Sequence, residues 1–329
     1  MSSPEQIQQP EVNADQIQAV DSPLCSWRRR IWLRRVVVGA CGFILLAFAI
    51  LWAVCEHLVA PVPVMVLSTQ VDLPVSDLSL TTDLGATVKG WWIAGDDDAA
   101  TVVLLHPLRG SRLTMLRRAQ LLHGEGYSVV MIDLQGHGES SGDAITMGGL
   151  ERHSAIAAVQ YARMKSGNKP VVVLGTSLGG AAFLLSQQVE IEGLILESVY
   201  STISEATHNR MALRMGSWSA SMLSPFLLWQ LESRLRLSRH DLRPIDELSK
   251  LSCPVLMMSG SEDKHTLPAE VRAMFKQLAP SAVNQRRHEL WLVDQAGHVD
   301  LYDFAGEAYE RRVLGFLSRI TATWQADLH

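Results

Sequence analysis

Short apolar runs alternate with longer stretches of helical periodicity through most of the chain. Both faces of the apolar runs are hydrophobic, which predicts strands buried on both sides. These runs are 101–105, 127–133, 171–174, 193–197, 255–259 and 289–293. Helical patterns separate them at 113–123, 150–164, 181–189, 269–278 and 308–320. This alternation predicts a mostly parallel sheet with helices on both faces.

Two segments depart from that alternation. Residues 78–82 and 86–93 flank Asp83-Leu84-Gly85 and are predicted to pair as an antiparallel hairpin. From 200 to 248 the alternation lapses into an insertion that is rich in Met, Leu, Phe and Trp.

A long apolar run near the N-terminus predicts a transmembrane helix. Val36 to Cys55 is a run of 20 residues without a charge, and such a helix crosses roughly 30 Å of hydrocarbon. The alternatives are a cleaved signal peptide and a buried core helix. Cleavage is disfavoured because Val54-Cys55-Glu56 has no small-x-small pattern.

The charges beside this run predict its orientation. Five arginines, 28–30 and 34–35, precede it, and no Lys or Arg occurs between Glu56 and Lys89. Since positive flanks remain in the cytoplasm, the N-terminus is expected there and the rest of the chain in the periplasm or outside the cell.

These patterns divide the chain into four parts. We expect a disordered cytoplasmic tail at 1–30, the transmembrane helix at 31–57, a linker at 58–76 and one folded domain at 77–329. Pro61-Val62-Pro63 opens the linker and favours stiff, extended backbone.

Candidate chemistry lies at the ends of three predicted strands. The segment 175–179, Gly-Thr-Ser-Leu-Gly, places Ser177 on a sharp turn between a strand and a helix. Asp263 follows the strand at 255–259, and His298 follows the strand at 289–293. A serine hydroxyl becomes nucleophilic when an imidazole takes its proton and a carboxylate orients the imidazole. We therefore predict Ser177 as nucleophile, His298 as base and Asp263 as acid.

In these residues and their order the chain resembles the α/β-hydrolase superfamily, in which Ser, Asp or Glu, and His follow one another. Further matches are 104–110 (Leu-Leu-His-Pro-Leu-Arg-Gly), 133–140 (Asp-Leu-Gln-Gly-His-Gly-Glu-Ser) and 243–246 (Arg-Pro-Ile-Asp). Together they are similar to the esterase and serine-peptidase-like branch that includes membrane-associated depalmitoylating and BEM46-like hydrolases. The resemblance runs from about Leu78 to the C-terminus. It implies a mostly parallel sheet with helices on both faces and a helical cap, here after one transmembrane helix.

The resemblance also implies an oxyanion hole. By position, its donors are the N–H groups of Leu178 and Leu108, with that of Arg109 as the fallback. The family usually has His-Gly where this chain has His106-Pro107, and proline has no N–H to donate.

In the superfamily, an insertion such as 200–248 forms a cap over the active site. Trp218, Phe226 and Trp229 are then candidates to line an acyl-chain pocket. The alternatives are that the apolar residues of the insertion pack it onto the main domain, or that they dip into the bilayer.

Other polar residues near the predicted site have competing interpretations. Glu197 ends the strand from which some relatives supply the acid, but Asp263 fits the order of the triad. His106 and His137 are expected to brace loops. Arg109 either attracts an anionic substrate group or is solvated.

Composition excludes some classes of function. The net charge of −5 and the absence of a basic stripe argue against nucleic acid. The four cysteines lack the spacing of a zinc site or a dense disulfide framework. The expected function is hydrolysis of a small-molecule carboxylic ester or thioester, with no cofactor or metal. A serine peptidase and a catalytically silent binding module on the same fold are the alternatives.

Overall fold

The computed structural model describes residues 23–67, 71–186, 189–278, 288–299 and 301–327. Most of the tail predicted at 1–30 lies outside the described residues. The chain divides into two compact units, one ending at Leu51 and one beginning at Trp52.

The first helix, α1, runs from Pro23 to Val59 and contains the predicted apolar span. Among the described residues it alone is long and apolar enough to cross a membrane, with a mean hydropathy of 2.6 over its most apolar window. Only 6% of that window is buried, which argues against a core helix. An anchor and a signal sequence both have this length and composition.

An eight-stranded sheet forms the centre of the second unit, with the strand order β10-β9-β8-β7-β4-β5-β3-β2. Its strands are β2 (Val75–Thr81), β3 (Thr87–Ile93), β4 (Thr101–Leu105), β5 (Ser128–Ile132), β7 (Val171–Thr176), β8 (Gly193–Glu197), β9 (Val255–Gly260) and β10 (Glu289–Val293). Seven of these eight strands run in one direction, and β3 runs antiparallel to them, between β2 and β5. The predicted mostly parallel sheet and its hairpin are therefore confirmed.

The other helices are α2 (Leu116–Gly124), α3 (Glu151–Ser166), α4 (Leu178–Leu184), α5 (Ile203–Met215), α6 (Ser217–Leu235), α7 (Pro268–Phe275), α8 (Leu301–Ala305) and α9 (Glu307–Asp327). Of these, α2, α3, α4, α7 and α9 pack on the strands of the sheet, whereas α5 and α6 pack chiefly on each other. Every residue of β4, β5, β7, β8 and β9 is buried. Helix α9 packs one face into this core, because its buried residues recur at helical spacing: Tyr309, Val313, Phe316, Leu317 and Ile320.

The predicted linker begins within α1 at Leu58 and Val59, and its described part around residues 61–63 is extended but is not a free spacer. Val62–Pro63 forms a short strand, β1, which pairs with β6 (His137–Gly138). The N–H groups of Val62 and Val64 donate to the carbonyl oxygens of Gly136 and Gly138 at 2.8 and 3.0 Å. These bonds fasten the segment that follows α1 to the loop that contains β6.

The insertion predicted at 200–248 is helical. Helices α5 and α6 form a hairpin that turns at Gly216, where φ is 81°. Two 3-10 turns, Arg239–Asp241 and Pro244–Lys250, then lead to β9. The insertion thus returns the chain to the sheet just before β9, the strand that Asp263 follows.

Candidate active site

Ser177 lies on a strained turn between β7 and α4. Its φ is 48° and its ψ is −108°, a conformation that costs an ordinary residue free energy and is common at functional turns. The Ser177 N–H donates to the Glu197 carbonyl oxygen at 2.8 Å, and its own carbonyl accepts from Ala181 at 3.0 Å. Strand and helix therefore hold the turn from both sides.

Glycines surround the turn because neighbouring backbone passes too close for a side chain. A Cβ atom at Gly179 would overlap the carbonyl group of Leu105, at the end of β4. A Cβ atom at Gly175 would lie 2.5 Å from the Cα of Gly180. The glycines of the 175–179 segment thus allow the sharp reversal that was inferred from sequence.

The three residues predicted as a triad lie in one hydrogen-bonded chain. The Ser177 Oγ is 3.3 Å from His298 Nε2, and His298 Nδ1 is 2.8 Å from Asp263 Oδ2. Ser177 is 2% exposed, and the His298 side chain is 14% exposed. The imidazole can accept the serine proton at Nε2 while the carboxylate holds its Nδ1–H.

The carboxyl group of Asp263 is held ionised in a buried position. Its Oδ1 accepts from the N–H groups of His265 and Thr266 at 2.8 and 2.9 Å. Burial alone raises the pKa of this carboxyl group, but His298 and these two N–H groups outweigh burial, so the pKa lies below its ordinary value. Asp263 can therefore stabilise a positive charge on His298.

A close approach of two loops brings the predicted acid, Asp263, and the predicted base, His298, together. Gly260 ends β9, and a Cβ atom there would overlap the carbonyl oxygens of Ala296 and Gly297. The N–H of Glu262 donates to the Ala296 carbonyl at 3.0 Å. Because β9 and β10 are neighbouring parallel strands, the loops that carry Asp263 and His298 leave the same edge of the sheet.

The predicted oxyanion donors are available, whereas the fallback donor is not. Leu178 begins α4, and neither its N–H nor that of Leu108 has an acceptor among the described residues. The N–H of Arg109 donates to His137 Nε2 at 3.2 Å. The guanidinium of Arg109 donates to the carbonyl oxygen of His57 at 3.0 Å, which gives this side chain a structural contact.

His106 and His137 brace this loop, as expected. The Nδ1 of His106 donates to the Pro107 carbonyl at 2.8 Å, and its Nε2 accepts from the Leu134 N–H at 2.9 Å. Burial, assisted by the nearby ring of His137, lowers the pKa of His106 to about 3. The ring is therefore neutral at physiological pH and can both donate and accept.

Glu197 is occupied by a separate buried network. Its carboxylate accepts from Arg118 Nη2 and from Thr176 Oγ1, each at 2.7 Å. The Tyr309 hydroxyl donates to its other oxygen. Burial disfavours the charged guanidinium, but Glu197 and Tyr309 outweigh this effect and raise the pKa of Arg118. Both oxygens of Glu197 thus have partners other than His298.

The three cap residues proposed to line an acyl pocket lie on the outer face of α6. Trp218, Phe226 and Trp229 are 77%, 55% and 57% exposed. Packing therefore does not describe these three, whereas Met211 on α5 and Leu227 and Leu228 on α6 are buried, and these two helices pack on each other. A role in acyl-chain binding stays a prediction.

Sequence reasoning missed a link between the cap and the acid loop. Asn209, on α5, donates to the carbonyl oxygen of His265 at 3.1 Å and to the carboxylate of Glu270 at 2.6 Å. The ring of His265 lies 4.9 Å from that of His298. The only signal in the sequence was the position of His265 two residues after the predicted acid.

The fold and this geometry agree with the comparisons with known proteins. A model of the alpha/beta hydrolase family matches residues 102–312. Since that match covers more than half of the 329 residues, the chain belongs to the alpha/beta hydrolase family.

Individual relatives are more distant. The alpha/beta hydrolase domain-containing protein WAV2 of Arabidopsis thaliana is 25% identical over 307 residues, covering 85% of this chain and 93% of that protein. YqkD, an uncharacterized protein of Bacillus subtilis, is 22% identical over 244 residues, which cover 72% of this chain and 77% of that protein. The solved structure of the Pyrococcus furiosus esterase Pf2001 superposes with a TM-score of 0.64 at 24% identity, covering 80% of this chain and 99% of that structure. Identity this low supports the shared fold alone.

Proposed function

We propose that this protein is a membrane-anchored serine hydrolase that cleaves carboxylic esters or thioesters through an acyl-enzyme on Ser177. The observation that carries the proposal is the hydrogen-bonded chain Ser177–His298–Asp263, with distances of 3.3 and 2.8 Å. Membership in the alpha/beta hydrolase family and similarity to an esterase fold support it.

In the first half-reaction, Ser177 Oγ attacks the acyl carbonyl carbon while its proton passes to His298 Nε2. The carbonyl oxygen gains negative charge, which the N–H groups of Leu178 and Leu108 stabilise. Such donors are worth on the order of 3 kcal/mol each. The imidazolium then gives its proton to the leaving alcohol or thiol, and the bond between that group and the acyl carbon breaks.

In the second half-reaction, water repeats the attack on the acyl-enzyme. His298 takes a proton from the water, and the new oxyanion is held by the same donors. Collapse of this intermediate breaks the bond to Ser177 Oγ, which regains its proton from His298. Asp263 stays ionised throughout, and its lowered pKa is suited to that task.

The membrane part of the proposal rests on α1. Its apolar window has a mean hydropathy of 2.6, and the five arginines that precede the run favour a cytoplasmic N-terminus. We therefore assign the catalytic domain to the periplasm or cell exterior.

A fluorophosphonate probe tests the catalytic part. Wild-type full-length protein should form a covalent bond from Ser177 Oγ to phosphorus, with fluoride as the leaving group. Ser177→Ala should remove the label, and His298→Ala should reduce it steeply. Ser198→Ala is a matched control, because Ser198 also directly follows a central strand with a positive φ of 49° and is buried. This variant should keep the label.

Two results would overturn the proposal. If folded wild-type protein takes no label and hydrolyses no short ester, a catalytically silent binding module replaces the hydrolase. If it takes the label but cleaves only aminoacyl or peptidyl amides, the reaction is that of a peptidase on the same machinery.

A further inference from the structure

Helix α6 is apolar on two faces, and the protein covers only one of them. No charged residue occurs from Met215 to Leu231. One face is buried in the domain through Ala220, Ser224, Leu227, Leu228 and Leu231. A helix that is apolar all round is typical of a protein core or a membrane environment rather than of a surface in water.

The other face carries four large apolar side chains in a row, which we call the outer stripe: Trp218, Met222, Phe226 and Trp229. Their spacings of four, four and three residues place them on one side of the helix. They are 77%, 56%, 55% and 57% exposed. Contiguous apolar surface of this kind marks an interaction site.

The last turn of α6 is fastened to the last turns of α1. The guanidinium of Arg234 lies 4.2 Å from the ring centroid of Trp52 and forms an ion pair with Glu56. Glu56 is the first charged residue after the apolar run Val36 to Cys55. If α1 spans the bilayer, Glu56 lies at the water interface, and the end of α6 lies at the same level.

Further bonds hold the active-site side of the domain near the same point. Arg109, beside the oxyanion loop, donates to the His57 carbonyl at 3.0 Å. Ile145 donates to the Val59 carbonyl at 2.7 Å. With the pairing of β1 and β6, these contacts join residues His57 to Val64 to the rest of the second unit.

We propose that the outer stripe lies in the interfacial layer of the bilayer that α1 spans, so that the active site takes amphiphilic esters directly from the membrane. This inference rests on the proposed function. The two tryptophans near the ends of the stripe suit the interfacial layer, where aromatic rings concentrate. The stripe covers about 16 Å of helix at 1.5 Å per residue, and the absence of charge allows its side chains to enter the acyl boundary.

Photocrosslinking from the outer stripe tests the docking. The full-length protein is reconstituted in phosphatidylcholine vesicles that contain an alkyne-tagged phosphatidylcholine, with p-benzoylphenylalanine in place of Met222. The matched control carries it in place of Met164, which is 69% exposed in the last turn of α3, the helix that leads into the start of β7. We expect about tenfold more tagged lipid on the first variant than on the second.

The outcomes separate docking from anchoring. Equal or absent lipid labelling at both positions overturns the docking, even where the protein resists alkaline carbonate extraction and the anchor therefore stands. A crosslink from position 222 to a second copy of the chain also overturns it, in favour of a dimer. Lipid labelling at 222 in a protein that carbonate extracts overturns the proposal as stated, because the stripe would then contact a bilayer that α1 does not span.

An activity measurement tests the consequence for substrate. Met222→Glu should lower hydrolysis of a long-chain ester embedded in vesicles about tenfold, because a charge at the interface opposes insertion. Hydrolysis of a water-soluble short ester should not change, and Met164→Glu should change neither rate. If wild type and Met222→Glu hydrolyse the embedded ester at equal rates, delivery from the membrane is overturned. If wild type hydrolyses neither the embedded nor the water-soluble ester, the proposed function itself is overturned.

Discussion

Two buried carboxylates lie close to Ser177, and their hydrogen-bond partners distinguish their roles. Asp263 contacts the imidazole of His298 at 2.8 Å, whereas Glu197 binds Arg118, Thr176 and Tyr309. Removing a charge from each therefore has different consequences, although both residues follow or end central strands.

Asp263→Asn should leave a folded protein whose kcat for a short ester falls by about 10⁴, because the amide favours the wrong imidazole tautomer. Glu197→Gln should instead lower the free energy of unfolding by about 3–5 kcal/mol, because it leaves the buried Arg118 without its counter-charge. Ester assays at a temperature where both variants are folded, together with urea unfolding, measure the two effects.

The opposite pattern would contradict these assignments. If Glu197→Gln abolished turnover in a fully folded protein while Asp263→Asn was nearly neutral, Glu197 would be the acid. Fluorophosphonate labelling of Glu197→Gln gives a control for the integrity of Ser177, since that variant should still react.

At the scale of elements, the active site depends on how closely β4, β7 and α4 approach one another. The positive φ of Ser177 and the glycines around it belong to one tight strand-to-helix turn. A side chain added there meets backbone atoms, which cannot move aside as the end of a flexible side chain can.

Gly179→Ala should lower the free energy of unfolding by about 3 kcal/mol or more, because its Cβ would overlap the Leu105 carbonyl group. Gly315→Ala is the matched control in helix α9, where the nearest atom to the added Cβ is 3.6 Å away. It should stabilise the protein by about 0.5–1 kcal/mol, since alanine favours a helix more than glycine does. Chemical denaturation of both variants checks the pair, and equal effects would contradict the close packing of the turn.

At the scale of the whole molecule, the distribution of arginines around the apolar run predicts the orientation in the membrane. A reporter that is active only outside the cytoplasm, fused to the C-terminus, should give signal, and the protein should resist alkaline carbonate extraction. Replacing the five arginines at 28–30 and 34–35 by glutamine should reduce the signal, because the charge bias is then lost. Release of a fragment that begins near His57 would show cleavage and would reject the anchor.

The sequence by itself determined the order of the elements and the positions of the proposed catalytic groups. The bounds of β4, β8 and β10 match the predicted strands residue for residue. Short runs that are apolar on both faces are typical of buried strands. Ser177, Asp263 and His298 each lie just after such a run, and their order along the chain is that of the family. These features depend on neighbours in the chain, which is why local patterns predict them.

Only the tertiary structure decided which polar and apolar groups meet. The carboxylate of Glu197 forms an ion pair with Arg118, and the N–H of Arg109 donates to the ring of His137. The segment after α1 pairs with β6 as a short strand. The tertiary structure also left the outer stripe of α6 exposed while the other face of the same helix became buried. Each of these outcomes depends on contacts between residues far apart in sequence, such as Trp52 with Arg234, and periodicity along one helix does not specify such partners.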